Sequence, residues 1–128
     1  MVFMIDVDVV AYGTPTTLLH WYQSDFKIDP DTQSLTIKCD AKFNAPYGGP
    51  TPPAGSTHRY VELLFRQQKG YTFPKCFAGY LEPTIPARLS FNMTEFMDVA
   101  GLQDPVAAKY FTVTNTDPEA KTEFVPEL

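Results

Sequence analysis

Residues 44–67 read NAPYGGPTPPAGSTHRYVELLFRQ and divide into two parts of opposite character. The first fourteen residues contain four prolines and three glycines, which excludes a regular helix or strand. Flexible linkers are rich in Ser or Gly, whereas prolines fix the path of the chain, so residues 44–57 are expected to form a rigid loop. The next run, residues 58–67, is the clearest strand in the sequence. A rigid loop that leads into a strand is typical of a binding site.

Further strand-forming segments lie on both sides of this stretch. They are residues 2–10, 18–26 and 34–39 before it and residues 107–114 after it. One helix is predicted over residues 91–102, where Asn92 and Glu95 form a capping box and Gly101 ends the helix. Residues 68–86 have little pattern and are expected to be a loop. The sequence therefore predicts a mostly β fold with one short helix in its C-terminal half.

Length and charge limit the function classes. The 128 residues are expected to form one domain over residues 1–128, with a polar tail that begins at Thr116 and includes residues 119–128. The formal net charge is −5 and the basic residues are scattered singly, whereas phosphate contacts need a basic stripe, so no nucleic-acid partner is expected. No apolar run approaches the ~18 residues of a membrane span, so no transmembrane segment is expected.

Ionisable side chains lie inside three of the predicted strands, which are otherwise apolar. They are Asp6 and Asp8 on the first, His20 with Tyr22 on the second, and His58 with Tyr60 on the fourth. Residues two apart in a strand share a face, so Asp6 is expected beside Asp8, and each histidine beside the tyrosine that follows it. Arg59 points to the opposite face and is free to serve a neighbouring carboxylate. Burying two Asp and two His separately would cost several kcal/mol each, so we expect them to neutralise one another in one cleft.

Other chemistries have less support in the sequence. A zinc site of two His and two Asp would lack any close-spaced ligand motif, so neither a metal nor a cofactor is expected. The number of cysteines alone leaves one disulfide bond between Cys39 and Cys76, or two free thiols, equally open. Asn92-Met93-Thr94 matches an N-glycosylation acceptor, but the predicted helix cap already accounts for Asn92 and makes glycosylation the weaker interpretation.

Taken in chain order, these residues resemble the motifs of the phosphatidylethanolamine-binding protein family. The matching segments are Asp6-Val7-Asp8, Leu19-His20-Trp21, Tyr47 with residues 49–55, His58-Arg59-Tyr60-Val61, Arg88-Leu89-Ser90-Phe91 and residues 101–107. The resemblance implies a β-sandwich with a small pocket for phosphate-like or carboxylate-like groups. The chain departs from the family at Val7 and Val10, which stand where the family has prolines. Strands that the family carries ahead of the acid pair are absent, so we expect either that this is a fragment or a processed chain, or that a homodimer partner or a separate chain supplies them.

The resemblance implies a binding module first. Its pocket for a small anion or a phospholipid headgroup would be lined by Asp6, Asp8, His20, His58 and Tyr60. The alternative is an accessory enzyme of fungal secondary metabolism, in which His20, His58 and Asp6 would transfer protons on a carboxylate or anhydride substrate during maleidride-type coupling. A third interpretation is a protein-interaction scaffold that uses the polar tail. The sequence leaves all three open.

Within the family, the chain looks most like secreted fungal members. The likeness lies in the composition of the proline-rich loop and in the step Phe91-Asn92-Met93-Thr94. It implies a secreted protein with a disulfide bond between Cys39 and Cys76, and it keeps Asn92 as a candidate glycosylation site.

Overall fold

The fold is mostly β, as the sequence predicts. The structure is a computed structural model that describes residues 1–38, 40–41 and 44–118. Within these residues the strands, in chain order, are β1 (Val2–Ala11), β2 (Thr14–Gln23), β3 (Phe26–Ile28), β4 (Leu35–Ile37), β5 (Asn44–Ala45), β6 (Thr57–Leu64) and β7 (Ala107–Thr114). Five of them form an antiparallel sheet in the order β5-β2-β1-β6-β7, and β3 pairs with β4 in a separate hairpin. Strands β1 and β6 therefore lie at the centre of the large sheet.

A tight turn at Tyr12 and Gly13 joins β1 to β2. Both residues have positive φ, 52° and 74°, as a two-residue type I′ hairpin turn requires. The sequence predicted a loop as far as Pro15, but β2 already begins at Thr14. Pro15 is tolerated in the strand because β5 pairs only with the far end of β2, which leaves this part of β2 at the edge of the sheet.

Two helical segments correct the prediction that residues 68–86 form a loop. They are a 3₁₀ helix (Lys75–Leu81) and the single-turn helix α1 (Ile85–Arg88). Both are too short to show a helical repeat in the sequence, and Pro86 fits α1 because a first turn needs no backbone N–H bond. Burial of Phe77 ties the 3₁₀ helix to the core. These segments are thus fixed by packing rather than by local pattern.

The predicted helix is confirmed as α2 (Met93–Ala100). The Asn92 side-chain oxygen accepts a hydrogen bond from the backbone N–H of Glu95 at 3.1 Å, as a helix cap does. Gly101 ends the helix with φ 64°, a left-handed conformation that costs glycine little. Nothing in the structure tests glycosylation of Asn92, which stays a prediction.

One face of the sheet packs against the helical segments through an aromatic core. Its fully or largely buried rings are Phe3, Tyr22, Phe65, Phe73, Phe77, Phe91 and Phe96. Phe3 and Phe77 both contact the ring of Phe96 edge to face, with centroids 5.1 Å away. Since alternate residues of β1 point to opposite faces, Phe3 and Ile5 belong to this core and Asp6 belongs to the other face. The ionisable side chains of β1 and β6 are therefore sorted away from the aromatic core.

The cysteine prediction is not supported. Cys76 is exposed and carries a free thiol. Cys39, its predicted partner, lies outside the described residues, as does the tail over residues 119–128. Among the described residues, no disulfide bond therefore supports secretion. Among the described helices, none is long and apolar enough to cross a membrane.

Candidate functional site

A buried, hydrogen-bonded pair between β1 and β6 forms the floor of the site. His58 Nδ1 donates to Asp6 Oδ2 at 2.7 Å, and both side chains are almost completely buried. A carboxylate only accepts hydrogen bonds, so the proton of this imidazole lies on Nδ1 and Nε2 is the nitrogen left for a ligand. The second Asp6 oxygen accepts the backbone N–H of Asp8 at 2.9 Å. Hydrogen bonds to both of its oxygens thus fix the orientation of the Asp6 carboxylate beside His58.

His20 reaches the same cavity from β2. Its Nδ1 lies 3.0 Å from the carbonyl oxygen of Gly48, which only accepts, so Nδ1 donates and Nε2 carries the lone pair. Nε2 is buried and has no hydrogen-bond partner within the described part of the chain. Burial is the main reason that the pKa of His20 is lowered, and Arg88 adds to it, while the Gly48 carbonyl and Asp6 act in the opposite direction. His20 is therefore neutral at pH 7 and presents an acceptor.

The cavity between the two histidines is small. It is lined by Asp6, Val9, Leu18, His20, Thr51, Pro53 and His58, and its volume is about 10 Å³. This is the space of one water molecule. Thr51 and Pro53 belong to the proline-rich loop, so the loop that the sequence predicted to build a site does close over the histidines.

Tyr60 supports the site rather than lining the cavity. Its ring is fully buried, meets the His20 imidazole edge to face at 5.2 Å, and stacks on Phe111 at 5.5 Å. The hydroxyl makes no hydrogen bond of ordinary geometry among the described residues. Burial first, and the nearby Asp6 carboxylate second, raise the pKa of Tyr60, so the hydroxyl stays protonated and keeps a donor available.

A bulge in β1 separates Asp8 from the other predicted site residues. Asp6 pairs with Leu18 and Val9 pairs with Thr16. Between these two pairs β1 has two residues and β2 has one, so the alternation of side chains along β1 is broken. Val9, not Asp8, therefore lines the cavity beside Asp6. The expectation that both aspartates share one face is wrong for this reason.

Asp8 is instead paired with Arg59 on the outer surface. Its carboxylate accepts from the Arg59 backbone N–H at 2.7 Å, from Nε at 2.8 Å and from Nη2 at 2.6 Å. The hydrogen bonds from the guanidinium are the main reason that the pKa of Asp8 falls to about 2. The sequence did predict that Arg59 points away from His58 and serves a carboxylate.

A second bulge places His20. Met4 pairs with Trp21 and Ile5 with Leu19, so His20 is the extra residue of β2. Tyr22 consequently lies in the aromatic core, on the opposite face from His20. The expectation that His20 and Tyr22 share a face is wrong, although His20 still joins Asp6 and His58.

Arg88 is a site residue that reasoning on individual strands missed. It is 6% exposed, and its Nε donates to Glu82 O at 2.8 Å and its Nη1 to Pro46 O at 2.7 Å. It thereby fastens helix α1 to the loop that carries Gly48, which in turn orients His20. The only sequence signal for it was its place in the segment 88–91 that resembles the family.

No metal centre accompanies these residues. Among the described residues, no group of three or more His, Cys, Asp or Glu side chains is arranged to hold a metal ion. The site therefore offers one hydrogen-bonded Asp–His pair, one neutral imidazole and one protonated phenol around a cavity closed by the proline-rich loop.

The same residues lie within the match to a known family. The family model described as phosphatidylethanolamine-binding protein matches residues 1–111, which include the Asp6–His58 pair, His20 and Arg88. The chain belongs to the phosphatidylethanolamine-binding protein family. The resemblance inferred from the motifs is thus confirmed, and so is the mostly β fold with a large antiparallel sheet and few helices that it implied.

The curated relatives of this family member include fungal proteins. The chain is 50% identical over 128 residues to "Phomoidride biosynthesis cluster protein N" of a fungal species, covering all of this chain and 58% of that protein. It is 48% identical over 112 residues to the protein of the same name from Talaromyces stipitatus, covering 87% of this chain and 57% of that one. "Protein TWIN SISTER of FT" of Arabidopsis thaliana is 34% identical over 110 residues, with coverages of 84% and 54%. The chain thus spans somewhat more than half the length of these relatives, and no solved structure matches it.

Proposed function

We propose that this member of the phosphatidylethanolamine-binding protein family binds a small anion, phosphate-like or carboxylate-like, between His20 and His58. The observation that carries the proposal is the buried, unpartnered Nε2 of His20, which lines the same cavity as the Asp6–His58 pair. A buried acceptor without a donor costs about 1–3 kcal/mol, and a ligand that brings a donor recovers that free energy.

A proton must lie between His20 and such an anion. Neutral His20 accepts a hydrogen bond from a protonated ligand oxygen, while protonated His20 donates to a fully ionised one. Either route adds one proton to the complex relative to neutral His20 and a fully ionised anion. Since burial lowers the pKa of His20, the free protein does not hold this proton at pH 7. Affinity for the anion is therefore expected to rise as the pH falls.

Entry of the anion requires the proline-rich loop to move. The cavity of about 10 Å³ holds one water, and a phosphate or carboxylate group is several times larger. Asp6, His20 and His58 lie on strands of the central sheet, whereas Thr51 and Pro53 lie on the loop. Outward displacement of the loop thus enlarges the cavity without disturbing its floor. Asp8 does not line this cavity, because its carboxylate is paired with Arg59.

Calorimetric titration with inorganic phosphate at about pH 5.5 and about pH 8 tests the proposal. We expect tighter binding at the lower pH, where His20 is more readily protonated, and a large loss of affinity in His58→Ala. The control Lys109→Gln removes an exposed cation that is paired with Glu62 outside the cavity, and should bind as the unaltered protein does. Equal affinity at both pH values, unchanged in His58→Ala, would contradict binding through the histidines.

The second candidate is an accessory enzyme of fungal secondary metabolism that acts on carboxylate or anhydride substrates. It is favoured by the names of the two fungal relatives, which refer to a phomoidride biosynthesis cluster. The hydrogen-bonded Asp6–His58 pair suits proton transfer, with Asp6 orienting the imidazole and His20 as the second proton carrier. Because the chain spans only part of those relatives, this activity is a proposal for the chain as it stands.

Turnover separates the two candidates. An alkylated maleic anhydride incubated with the protein should couple to its dimer faster than in buffer alone. Asp6→Asn should abolish this difference in rate, while Lys109→Gln should retain it. Turnover that survives both Asp6→Asn and His58→Ala would place the reaction elsewhere. Phosphate binding without any turnover would leave the binding module as the function. Secretion of the protein, and a partner chain that completes the sheet, stay predictions.

A further inference from the structure

A second and much larger concavity lies at the far end of β6. His58 is near the start of that strand, whereas this groove is bounded by its end, by the β3–β4 hairpin and by the loop that follows β6. Its volume is about 790 Å³, within the range of roughly 300–1,000 Å³ typical of small-molecule sites. It shares no lining residue with the cavity between the histidines.

One wall of the groove is apolar and open to solvent. Ile28 is 65% exposed, Leu35 is 41% exposed and Val106 is 58% exposed, and all three line the groove. Large aliphatic side chains that are exposed together on one concave surface are typical of a ligand-binding groove. The wall thus offers contact to an aliphatic chain.

The remaining rim is cationic. Lys38, Arg66 and Lys69 line the groove, and within the described part of the chain none of them forms a salt bridge. A chain with a formal net charge of −5 places three of its ten basic residues here. The charges of Arg66 and Lys69 are therefore available to an anion, while Lys38 also interacts with the Asp25 carboxylate.

The single carboxylate of the groove does not cancel them. Asp25 accepts hydrogen bonds from Gln67 Nε2 at 2.7 Å and from Ser24 Oγ at 2.9 Å, and its backbone N–H donates to Gln67 Oε1 at 2.8 Å. These bonds fix Asp25 in the floor and lower the pKa of its carboxyl, so it is ionised at neutral pH. Three cations against one anion leave the groove positive.

We propose that this groove binds an amphipathic anion, namely a long-chain carboxylate. Its aliphatic chain would lie on Ile28, Leu35 and Val106, and its carboxylate would be held by Arg66 and Lys69. The planar guanidinium of Arg66 matches a carboxylate with two parallel hydrogen bonds, and Lys69 adds a point charge beside it. The site is separate from the proposed phosphate site and does not rest on it.

Fluorescence titration with 11-(dansylamino)undecanoate tests the proposal. We expect saturable binding, and a loss of affinity of about tenfold in each of Arg66→Glu and Lys69→Glu, since reversal of a nearby charge replaces attraction by repulsion. Higher salt should weaken binding in the unaltered protein and restore part of it in the variants. The primary amide of the same probe, which has no charge, should bind more weakly than the carboxylate.

Lys27→Glu is the matched control. Lys27 belongs to the same hairpin, but it does not line the groove, in contrast to its neighbours Phe26 and Ile28. The Lys27→Glu substitution makes the same change of charge outside the groove and should leave the affinity for the probe unchanged. Far-ultraviolet circular dichroism should show that all three variants are folded. Equal weakening in Lys27→Glu, or no weakening in Arg66→Glu and Lys69→Glu, would overturn the proposal. So would a dimer that the probe dissociates in sedimentation, because the groove would then be an interface between copies.

Discussion

In both histidines, Nδ1 donates the hydrogen bond that orients the ring, and Nε2 is left for a ligand. His58 donates to a carboxylate and His20 to a backbone carbonyl, so the two rings have the same tautomer but different electrostatic surroundings. His58 is held beside the negative charge of Asp6, whereas burial keeps His20 neutral. The two imidazoles are thus suited to different tasks around one small cavity.

Removal of the Arg59 guanidinium should release Asp8. In Arg59→Gln the hydrogen bonds that stabilise the ionised carboxylate are lost, so its pKa should rise from about 2 towards its usual value. Stability that the pair contributes is present above the unfolded pKa and is lost as the pH falls through about 2. Titration of the Asp8 carboxyl carbon by NMR measures the change.

Lys109→Gln serves as the control for this titration, because it breaks a different exposed ion pair, with Glu62. It should leave the Asp8 titration unchanged. An Asp8 pKa that stays near 2 in Arg59→Gln would show that the backbone, not the guanidinium, stabilises the carboxylate.

Residue type and spacing predicted part of this chemistry. The cost of burying two Asp and two His separately predicted that all four gather in one cleft. Asp6, His20 and His58 do line one cavity, whereas Asp8 does not. Strand alternation also predicted that Arg59 points away from His58, and Arg59 is indeed paired with Asp8 on the surface. The tautomer of His20 was not predictable, because it depends on a carbonyl twenty-eight residues later in a loop without a regular pattern.

Elements position the site through two irregularities of the β1–β2 pair. One extra residue in β2 brings His20 to the cavity, and one extra residue in β1 takes Asp8 away from it. Alternation with period two predicts faces only between such bulges. Strand β1 and most of β2 were therefore predictable from the sequence, while the start of β2, the short strand β5 and the faces of Asp8 and Tyr22 were not.

Arg88 should control the loop that orients His20. Arg88→Met removes donors from the carbonyls of Glu82 and Pro46, so we expect a loss of about 2–4 kcal/mol in the free energy of unfolding. The Gly48 N–H, which donates to His20 O at 2.8 Å, should exchange with deuterium faster as the loop loosens.

Arg59→Gln is the matched control for Arg88→Met, since it removes a guanidinium that is exposed and far from the Pro46 and Glu82 carbonyls. It should leave exchange at Gly48 unchanged. Unaltered protection of Gly48 in Arg88→Met would mean that the loop holds its shape without the guanidinium.

The whole molecule is a central sheet with an aromatic core on one face and ionisable groups on the other. Composition and strand pattern were sufficient to predict the mostly β class, and α2 followed from its caps. The 3₁₀ helix and α1 were not predictable because they are too short to show a helical repeat, and the cationic groove was not predictable because its lining residues are far apart in sequence. Long-range packing decides these features, and it leaves no local pattern.

Global stability should fall below neutral pH because of His20. Its folded pKa is lowered by burial, so the unfolded chain binds a proton more readily, and stability that is full above pH ~6.5 declines as the pH falls. The slope reaches at most about 1.4 kcal/mol per pH unit for one group. Urea denaturation at several pH values should therefore show a flatter profile in His20→Gln. Profiles of identical slope would mean that other groups cause the decline.

The extra residue in β1 has a consequence for how related sequences are compared. Asp6 and Asp8 form one short motif on paper, yet the bulge gives the first to a buried imidazole and the second to a surface guanidinium. Each aspartate can therefore be substituted during evolution together with its own partner and independently of the other aspartate. A homologue that loses Asp8 together with Arg59 keeps its cavity, whereas one that loses Asp6 keeps only a surface contact. Substitutions within this motif are informative only when they are tallied as two independent pairs.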